Sequence, residues 1–467
     1  MGRPFPSWWL KWLLLKWMWK QMDITGAPRR GRRIVFWLVL IVMLSAACLT
    51  ALRCLAPLNL GIDFVQFRLT AQHVYGGGDT DIYNPVVGQT ILDRASSEAA
   101  RENESTRYAR AVGFRHSRSL ETYSSPLLYT LFGWGRDLPY EQAIRLYWVA
   151  CLGASLAGMV GFGLHLGILN ISMGLAACAV LWSGPLLMDL RVGNVGQLQL
   201  GVLGLYLVLR RVSPSGWMVV FSSMWLGFWL LFKPTLLWCV VLVVWAALLQ
   251  EGLTSSLRRA AGLVLGGGLG VGLSLLLFPL SSWVHWVQAV ASYSDTVIAA
   301  ERGNVSLPYA LHLRGVFTSI SIVFAPLLAG IVLWRTRRRE TQVYSSAQGL
   351  TSEPGSWERP RPPGDAEWLA LGCLIFELTS QLVWYHYLVL SFPAILVVLQ
   401  RVIYSQARRD QISLSLLLGL CLLLFGIAPV ERWFSPPLTV EAGRAALGNV
   451  LLMAGILMPP PSTWFRR

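Results

Sequence analysis

Long apolar runs, separated by short polar segments, make up most of the chain. An α-helix of about 20 apolar residues crosses the hydrocarbon core of a bilayer, so each run is a candidate transmembrane helix. The pattern predicts an all-α polytopic membrane protein with about twelve transmembrane helices. The predicted spans are 34–58, 141–164, 168–188, 194–210, 216–232, 234–250, 259–281, 315–334, 366–383, 386–403, 411–429 and 443–459.

Composition supports this class. Of the 467 residues, 54% are hydrophobic and 13% are charged, whereas soluble domains average about 25% charged residues. The 22 tryptophans suit helix ends that lie in the aromatic belts of the two membrane interfaces. The net charge of +15 comes largely from basic clusters that flank the apolar runs. Attraction to anionic lipid headgroups explains that placement, and nucleic acid is not an expected partner.

Paired arginines fall in the short loops at alternate ends of the spans. Loops rich in arginine stay in the cytoplasm by the positive-inside rule, which places both termini there. The alternation requires that the brief apolar stretch at 127–134 does not cross, and its 8 residues are too few for a span and fit an interfacial or re-entrant helix. The arginine clusters are Arg210-Arg211, Arg258-Arg259, Arg337–Arg339, Arg408-Arg409 and Arg466-Arg467.

The chain divides into a cytoplasmic N-terminus, a transmembrane domain and a cytoplasmic tail. The N-terminus is basic, tryptophan-rich and amphipathic, which is typical of a helix lying on a membrane surface. Within the transmembrane domain, two outer loops are long enough to hold interfacial helices, and one polar linker cannot bury a core. The boundaries are 1–33 for the N-terminus, 34–459 for the transmembrane domain, 59–140 and 282–314 for the outer loops, 336–365 for the linker and 460–467 for the tail.

Polar residues collect at the ends of the spans that face away from the cytoplasm. Asp63 follows the first span, and Lys233 and His386 stand at the outer ends of later spans. Any one of them fits an interfacial residue or a residue that bonds a neighbouring helix. Several on one face indicate a site instead. The set also contains Tyr123, Arg191, Gln197, Asn304, Ser306 and Tyr385.

One carboxylate at this face is enough for a simple proton transfer. A sugar hydroxyl that attacks a donor needs a base to accept its proton, and Asp63 is the candidate for that role. Other acidic residues on the same side are the alternatives. They are Asp79, Asp81 and Asp189.

Cations and hydrogen-bond donors at the same face suit a lipid phosphate. Lys233, Arg191 and His386 are the candidates for binding a donor phosphate. The sequence has no phosphate-cradling Gly-rich loop and no metal-ligand spacing, so no metal and no cofactor are expected. The candidates for substrate binding are Tyr123, Gln197, Asn304, Ser306 and Tyr385.

An ordered series of short motifs runs from about residue 60 to residue 400. In this order the motifs resemble those of the bacterial polyprenol-phosphate-mannose-dependent α-1,2-mannosyltransferases, which belong to the GT-C superfamily. The motifs are Gly61-Ile62-Asp63-Phe64, Ile82-Tyr83-Asn84-Pro85, Tyr123-Ser124-Ser125-Pro126-Leu127, Gly196-Gln197, Lys233-Pro234, Asn304-Val305-Ser306-Leu307, His386-Tyr387 and Pro393.

The resemblance implies a GT-C-type bundle in the cell membrane, with its active site at the extracytoplasmic face. It implies an inverting transfer of mannose from a polyprenyl-phosphate donor to a hydroxyl of a glycolipid or glycan, with Asp63 as the base. The expected partners are that donor, that acceptor and membrane lipids. The arginine-rich stretch at 94–118 and the tryptophan-rich N-terminus match no part of the family pattern, so the acceptor stays open.

Two other functions remain open. A lipid-linked-sugar flippase or small-molecule transporter is expected to have paired broken helices at the membrane midplane, and the sequence indicates none. Another GT-C transferase, such as an oligosaccharide ligase or an aminoarabinose-type transferase, needs the same base and phosphate-binding groups with a different acceptor.

Overall fold

The computed structural model describes most of the helical part of the chain. Several sequence predictions lie outside it: the N-terminus up to residue 28, Asn304, most of the span 315–334, the linker up to residue 363, and the tail. The described residues are 29–54, 59–101, 106–117, 120, 122–168, 171–181, 183–212, 216–293, 306, 326–332, 364–380, 383–405, 408–425 and 438–458.

These residues form helices and no β-strand, which confirms the all-α fold class. A further helical stretch covers 326–332, and 3-10 helices cover Gly133–Gly135, Pro234–Leu236 and Tyr385–Ser391. The α-helices are α1 (Arg29–Cys54), α2 (Ile62–Tyr75), α3 (Pro85–Arg101), α4 (Thr106–His116), α5 (Pro126–Phe132), α6 (Tyr140–Leu166), α7 (Ile171–Leu181), α8 (Gly184–Val192), α9 (Gly196–Val212), α10 (Gly216–Phe232), α11 (Leu237–Gln250), α12 (Leu253–Ser274), α13 (Ser281–Tyr293), α14 (Asp365–Thr379), α15 (Phe392–Tyr404), α16 (Arg408–Leu424) and α17 (Leu438–Leu457).

Fewer helices are long enough to cross a membrane than the twelve predicted. Among the described residues, two pass by length and composition, Tyr140–Leu166 and Tyr385–Tyr404, and the bent pair α8 and α9 makes a third if it counts as one span. Short length excludes some of the helices, and α12, which has 22 residues and contains Arg258 and Arg259, does not pass by composition. Helices α10 and α16 have 17 residues each, and at about 1.5 Å per residue they fall short of a hydrocarbon core about 30 Å thick. The described part of the chain therefore has two or three candidate spans instead of twelve.

Hydrogen bonds at the start and at the end of α6 show which loops lie at each end of the bundle. Helix α6 begins where the Tyr140 hydroxyl donates to Leu60 O at 2.6 Å. The same helix ends where the Gln400 amide donates to Leu166 O at 2.9 Å. We call the end near Leu60 the site end and the end near Leu166 the far end.

Charged side chains pair in the interior at the far end. Arg259 is buried and donates to Asp365 Oδ1 at 3.0 Å, while Arg210 donates to Oδ2 of the same carboxylate at 3.0 Å. Arg259 also pairs with Glu251 and donates to the Tyr206 hydroxyl at 3.0 Å. Two arginines from the clusters that were predicted to face the cytoplasm therefore meet at the end opposite the candidate site.

Glycines let α10 and α12 pack backbone to backbone. A Cβ added at Gly266 would lie 1.9 Å from Met224 O, and one added at Gly262 would lie 2.4 Å from Val220 O. Small residues permit such close approach between helices. The contact fixes the course of α10, whose C-terminus leads directly into the candidate site.

The polar segment after α1 folds into short helices at the site end, and α13 packs against it. The Trp286 indole donates to Tyr123 O at 3.0 Å, and His285 Nδ1 lies 2.9 Å from Asp81 Oδ1. The apolar stretch at 127–134 lies mainly in α5, which has 7 residues. That length is far below the about 20 residues of a span, in keeping with the expectation that this stretch does not cross.

Candidate active site

A tight turn at Gly61 places Asp63 in the first turn of α2. Gly61 has a φ of +68°, and a Cβ there would lie 2.2 Å from Ile144 Cδ1, so only glycine suits the position. The Gly61 N–H donates to Arg191 O at 2.9 Å, and the Tyr140 hydroxyl donates to Gly61 O at 3.2 Å. The start of α2 is therefore held against α6 and α8.

The Asp63 carboxylate is held by one group on each oxygen. Oδ1 accepts from Arg115 Nη2 at 2.6 Å, and Oδ2 accepts from Asn194 Nδ2 at 2.6 Å. Both donors are buried, whereas 17% of the Asp63 side chain is exposed. Each carboxylate oxygen has room for two hydrogen bonds. Asp63 therefore keeps the capacity to accept a further hydrogen bond from a substrate hydroxyl.

Asn194 lies at the break between α8 and α9, where the helix axis bends by 114°. Gly193 ends α8 with a φ of +74°, and a Cβ there would lie 2.7 Å from Phe64 Cβ. The Asn194 N–H donates to Asp189 O at 3.0 Å, and the Tyr147 hydroxyl donates to Asn194 O at 2.7 Å. The backbone of Asn194 is thus fixed on both sides.

All four hydrogen-bonding positions of the Asn194 side chain are filled. Nδ2 donates to Asp63 and lies 2.9 Å from His386 Nε2, while Oδ1 accepts from Lys233 Nζ at 3.0 Å and from the Val195 N–H at 2.6 Å. The reversed amide would set its oxygen against a carboxylate and its NH₂ against an ammonium group, so the orientation is determined. Because Nδ2 can only donate, His386 Nε2 accepts, and the ring proton is on Nδ1.

Lys233 lies between the end of α10 and the 3-10 helix that begins at Pro234. Its Nζ is 4.4 Å from the centre of the Tyr387 ring, a cation–π contact. The Gln199 amide donates to Lys233 O at 3.3 Å. Within the described part of the chain, no carboxylate pairs with this half-buried ammonium group. A cation in that position is suited to an anion from outside the chain.

His386 and Tyr387 lie in the 3-10 helix that precedes α15. His386 is buried, and its ring centre lies 4.6 Å from that of Tyr387 with the two rings nearly perpendicular. Four separate parts of the chain thus meet at one point: α2, the α8–α9 break, the end of α10 and this 3-10 helix. We call Asp63, Asn194, Lys233 and His386 the polar cluster.

Tyr129 lies near Arg115, and Tyr83 lies near Tyr129. The Tyr83 hydroxyl donates to Ser124 O at 2.8 Å. Burial raises the pKa of both Tyr83 and Tyr129, and at Tyr129 the charge of Arg115 opposes that shift without overcoming it. Both phenols are therefore protonated at neutral pH, so they leave the role of base to a carboxylate.

The other acidic candidates have different surroundings. Asp79 is exposed, and its Oδ1 accepts the Asp81 N–H at 2.9 Å. Asp81 faces His285, and Asp189 is fully buried, with Oδ2 accepting the Gln197 N–H at 3.2 Å. Among the described acidic residues, Asp63 is the one that contacts both an arginine and the Asn194 side chain.

Two predicted substrate-binding residues join helices to each other. Gln197 Oε1 accepts from the Ser155 hydroxyl at 2.9 Å, and its amide donates to Leu186 O at 3.4 Å. The Tyr385 hydroxyl donates to Phe425 O at 2.6 Å. These hydrogen bonds satisfy buried polar groups, which is a structural role.

For the remaining predicted residues, the contacts in the described part of the chain do not establish that a side chain belongs to the polar cluster. Arg191 is exposed and contributes its carbonyl to the turn before α2. Tyr123 is half-buried, with its carbonyl bonded to the indole of α13, and Ser306 is buried. Asn304 lies outside the described residues. Substrate binding by these residues stays a prediction.

The sequence prediction of site residues did not include Arg115 and Asn194. Asn194 belongs to the short turn Gly193–Gln197, in which the sequence predicts Gln197 as the substrate-binding residue. The available signal was a polar residue directly after a glycine between two apolar runs, which is typical of a helix break. Arg115 belongs to the stretch at 94–118, which matched no motif.

The described residues contain no group of three or more His, Cys, Asp or Glu side chains that would hold a metal ion. Compared with known proteins, the sequence matches no family model, and no curated protein matches it. The geometry of the polar cluster therefore carries the functional argument.

Replacing Asn194 tests this geometry without reference to function. Asn194→Asp sets a second carboxylate against Asp63, and two carboxylates at that separation disfavour being ionised together. We expect the free energy of unfolding to fall by about 2–4 kcal/mol at neutral pH. Part of the loss should return as the pH falls, because one proton shared between the two groups removes the repulsion. Thermal unfolding in detergent at neutral and mildly acidic pH measures both effects.

Asn84→Asp is the matched control. Asn84 is exposed, and its Oδ1 accepts the Val86 N–H at 3.0 Å, a bond that a carboxylate keeps. This variant should unfold like the wild type at both pH values. Unchanged stability of Asn194→Asp at neutral pH would contradict the arrangement of the polar cluster.

Proposed function

We propose that the protein is an inverting glycosyltransferase, a hexosyltransferase that moves a sugar from a polyprenyl-phosphate donor to a hydroxyl of a glycolipid or glycan. One observation carries the proposal. The Asp63 carboxylate and the Lys233 ammonium group, which has no carboxylate partner in the described chain, are both bonded to the side chain of Asn194. A base and an anion-binding cation are thus set beside each other, as a transfer from a phosphate requires.

Asp63 takes the role of base. The acceptor hydroxyl donates its proton to a carboxylate oxygen of Asp63 as its own oxygen attacks the anomeric carbon of the donor. Arg115 and Asn194 hold the two carboxylate oxygens while 17% of the side chain is exposed to an incoming acceptor. A base fixed in one orientation meets the geometric requirement for proton transfer.

Lys233 takes the role of binding the donor phosphate. As the bond between the anomeric carbon and the phosphate oxygen breaks, the electron pair remains on the lipid phosphate, whose charge the ammonium group stabilises. His386 accepts a hydrogen bond at Nε2 and carries its proton on Nδ1, so it serves as a neutral hydrogen-bond group. Arg191, which is exposed near the start of α2, is a further cation for the same phosphate.

A single carboxylate favours inversion. Attack from the face opposite the leaving phosphate inverts the anomeric carbon in one displacement, and it needs a base but no enzymatic nucleophile. A retaining mechanism needs two carboxylates about 5 Å apart. In the polar cluster Asp63 is the carboxylate, whereas Asp189 is fully buried and its Oδ2 accepts the Gln197 N–H.

The resemblance of the ordered motifs to the polyprenol-phosphate-mannose-dependent mannosyltransferases leads us to propose mannose as the sugar and the cell membrane as the location. In this proposal the bundle is of the GT-C type, and the helices that do not pass as candidate spans also lie in the membrane. Large apolar side chains on their outer faces support this, since a soluble protein rarely exposes so many. Examples are Trp217, Val264, Leu265 and Leu416.

A lipid-linked-sugar flippase is the second candidate. The α8–α9 pair supplies one break, where the chain bends by 114° at polar residues, whereas a transporter is expected to have a pair of broken helices at the midplane. Broken helices with polar residues at the break are typical of transporter binding sites. A flippase moves its lipid without forming a new glycosidic bond, so product analysis separates the two functions.

The first test is an assay with polyprenyl-phosphate-[labelled mannose] and a membrane lipid extract, using the purified protein and Asp63→Asn. The wild type should form a labelled α-linked product. Asp63→Asn keeps the shape but cannot take a proton, so turnover should fall by about 10²–10⁴. Donor binding should be unchanged. Asp79→Asn, at an exposed carboxylate, is the matched control and should retain wild-type turnover. A folded Asp63→Asn enzyme with more than about a tenth of wild-type turnover would move the role of base elsewhere.

Lys233→Met keeps the aliphatic part of the side chain and removes its charge. Loss of a charged hydrogen bond should weaken donor binding by about 1–3 kcal/mol, or about 5- to 150-fold in Kd. Titration with polyprenyl phosphate, monitored by intrinsic tryptophan fluorescence, measures this. If donor affinity and turnover both match the wild type, Lys233 is a structural cation resting on Tyr387.

The orientation of the site is tested with cysteines at the two ends of the bundle. Arg191 is exposed at the site end, and Arg258 is exposed and next to Arg259 at the far end. In intact cells, an impermeant thiol reagent should label Arg191→Cys above the background of the wild-type protein. It should label Arg258→Cys only after permeabilisation. The reverse pattern would place the site on the cytoplasmic side.

A further inference from the structure

The arginine-rich stretch at 94–118, which matched no motif, delivers one side chain into the polar cluster. Arg115 lies in the last turn of α4 and points away from solvent, with 5% of its side chain exposed. Its Nη2 pairs with Asp63 Oδ1 at 2.6 Å, and its Nε donates to Ile62 O at 3.0 Å. The guanidinium thus bonds both the Asp63 carboxylate and the backbone carbonyl of Ile62, the residue before Asp63.

Helix α4 is held in place along its length. At its N-terminal end, Arg107 pairs with Glu141 of α6 and lies over the Trp148 ring at 5.3 Å. At its C-terminal end, His116 Nε2 lies 3.0 Å from Asp93 Oδ1 of α3. Arg115 therefore reaches Asp63 from a braced helix, not from a free loop.

The two oxygens of the Asp63 carboxylate accept hydrogen bonds from two separate parts of the structure. The α3–α4 helices supply the donor to Oδ1 through Arg115, and the α8–α9 break supplies the donor to Oδ2 through Asn194. Rotation of the carboxylate about its Cβ–Cγ bond breaks both hydrogen bonds at once. Without Arg115, the Asp63 carboxylate keeps only the hydrogen bond from Asn194, and it can then rotate about its Cβ–Cγ bond.

We propose that Arg115 is a positioning residue, which fixes the orientation of the Asp63 carboxylate for proton transfer. This inference rests on the proposed role of Asp63 as the base. A guanidinium bonded both to one carboxylate oxygen and to the Ile62 carbonyl resists rotation of the carboxylate about its Cβ–Cγ bond. It also sets the lone pairs that stay free toward the side from which the acceptor hydroxyl approaches. The stretch at 94–118 thereby becomes part of the active site.

The test compares Arg115→Gln, Arg115→Lys and Arg110→Gln. Arg110 is on the same helix and exposed, so it is the matched control and should behave as the wild type. Arg115→Gln should lower kcat by about 10- to 100-fold, with the KM for polyprenyl-phosphate-mannose changed by less than about twofold because Lys233 still binds the phosphate. Arg115→Lys keeps the charge and should recover part of kcat.

A second measurement does not depend on turnover. Dicyclohexylcarbodiimide reacts with protonated carboxyl groups in apolar surroundings, and mass spectrometry of the peptide that contains Asp63 gives the labelling rate. Removal of the guanidinium uncovers Oδ1, the carboxylate oxygen that Arg115 occupies. Labelling should therefore be faster in Arg115→Gln than in Arg115→Lys, Arg110→Gln or the wild type.

The outcomes separate this inference from the proposed function. If the wild type transfers no sugar, the transferase proposal fails, and labelling still shows whether Arg115 controls the carboxylate. If the wild type is active, a wild-type kcat in Arg115→Gln overturns the inference. The inference is also overturned if Arg115→Lys is as inactive as Arg115→Gln and if the labelling of Asp63 is no faster in Arg115→Gln than in the wild type. That result indicates that Arg115 has a structural role alone.

Discussion

A single side-chain amide joins an anion and a cation in the interior of the helical bundle. Burial of a charged group is costly unless a partner compensates it. Asn194 supplies hydrogen bonds of both polarities, since its NH₂ serves the Asp63 carboxylate and its oxygen serves the Lys233 ammonium group. The two charges can therefore stay near each other without forming a closed ion pair. Each keeps capacity for a substrate, which is the condition on which the proposed chemistry depends.

The bend between α8 and α9 makes this possible. Left-handed backbone at Gly193 stops α8, and the 114° change of direction leaves Asn194 at the inner corner, where its side chain is held by four bonds. Hydrophobic burial stabilises the two helices on either side of the bend. Tyr147 adds a hydrogen bond to the Asn194 carbonyl from α6. The orientation of the Asn194 side chain therefore follows from the way in which helix α8 ends at Gly193.

The apolar runs predicted the all-α class and the approximate position of most helices, because burial and lipid exposure both select such runs. They did not predict where helices stop, so the number of candidate spans was too high. Asp63, Lys233 and His386 were expected on one face, and they meet. Arg115 and Asn194 were missed because their contacts with Asp63 join residues 52 and 131 positions apart. Such contacts depend on how α4 and the α8–α9 break pack in three dimensions, which no local pattern encodes.

The glycine contact between α10 and α12 has a consequence for motion. Side chains between two helices can change rotamer and let one helix slide, but Gly262 and Gly266 leave backbone atoms against backbone atoms. The two helices are thereby coupled as one stiff unit. Lys233 follows the last residue of α10, and α13 follows α12 by a few residues. A larger side chain at either glycine would force α10 and α12 apart, and it would therefore displace both Lys233 and α13, two parts of the chain that lie far apart in sequence.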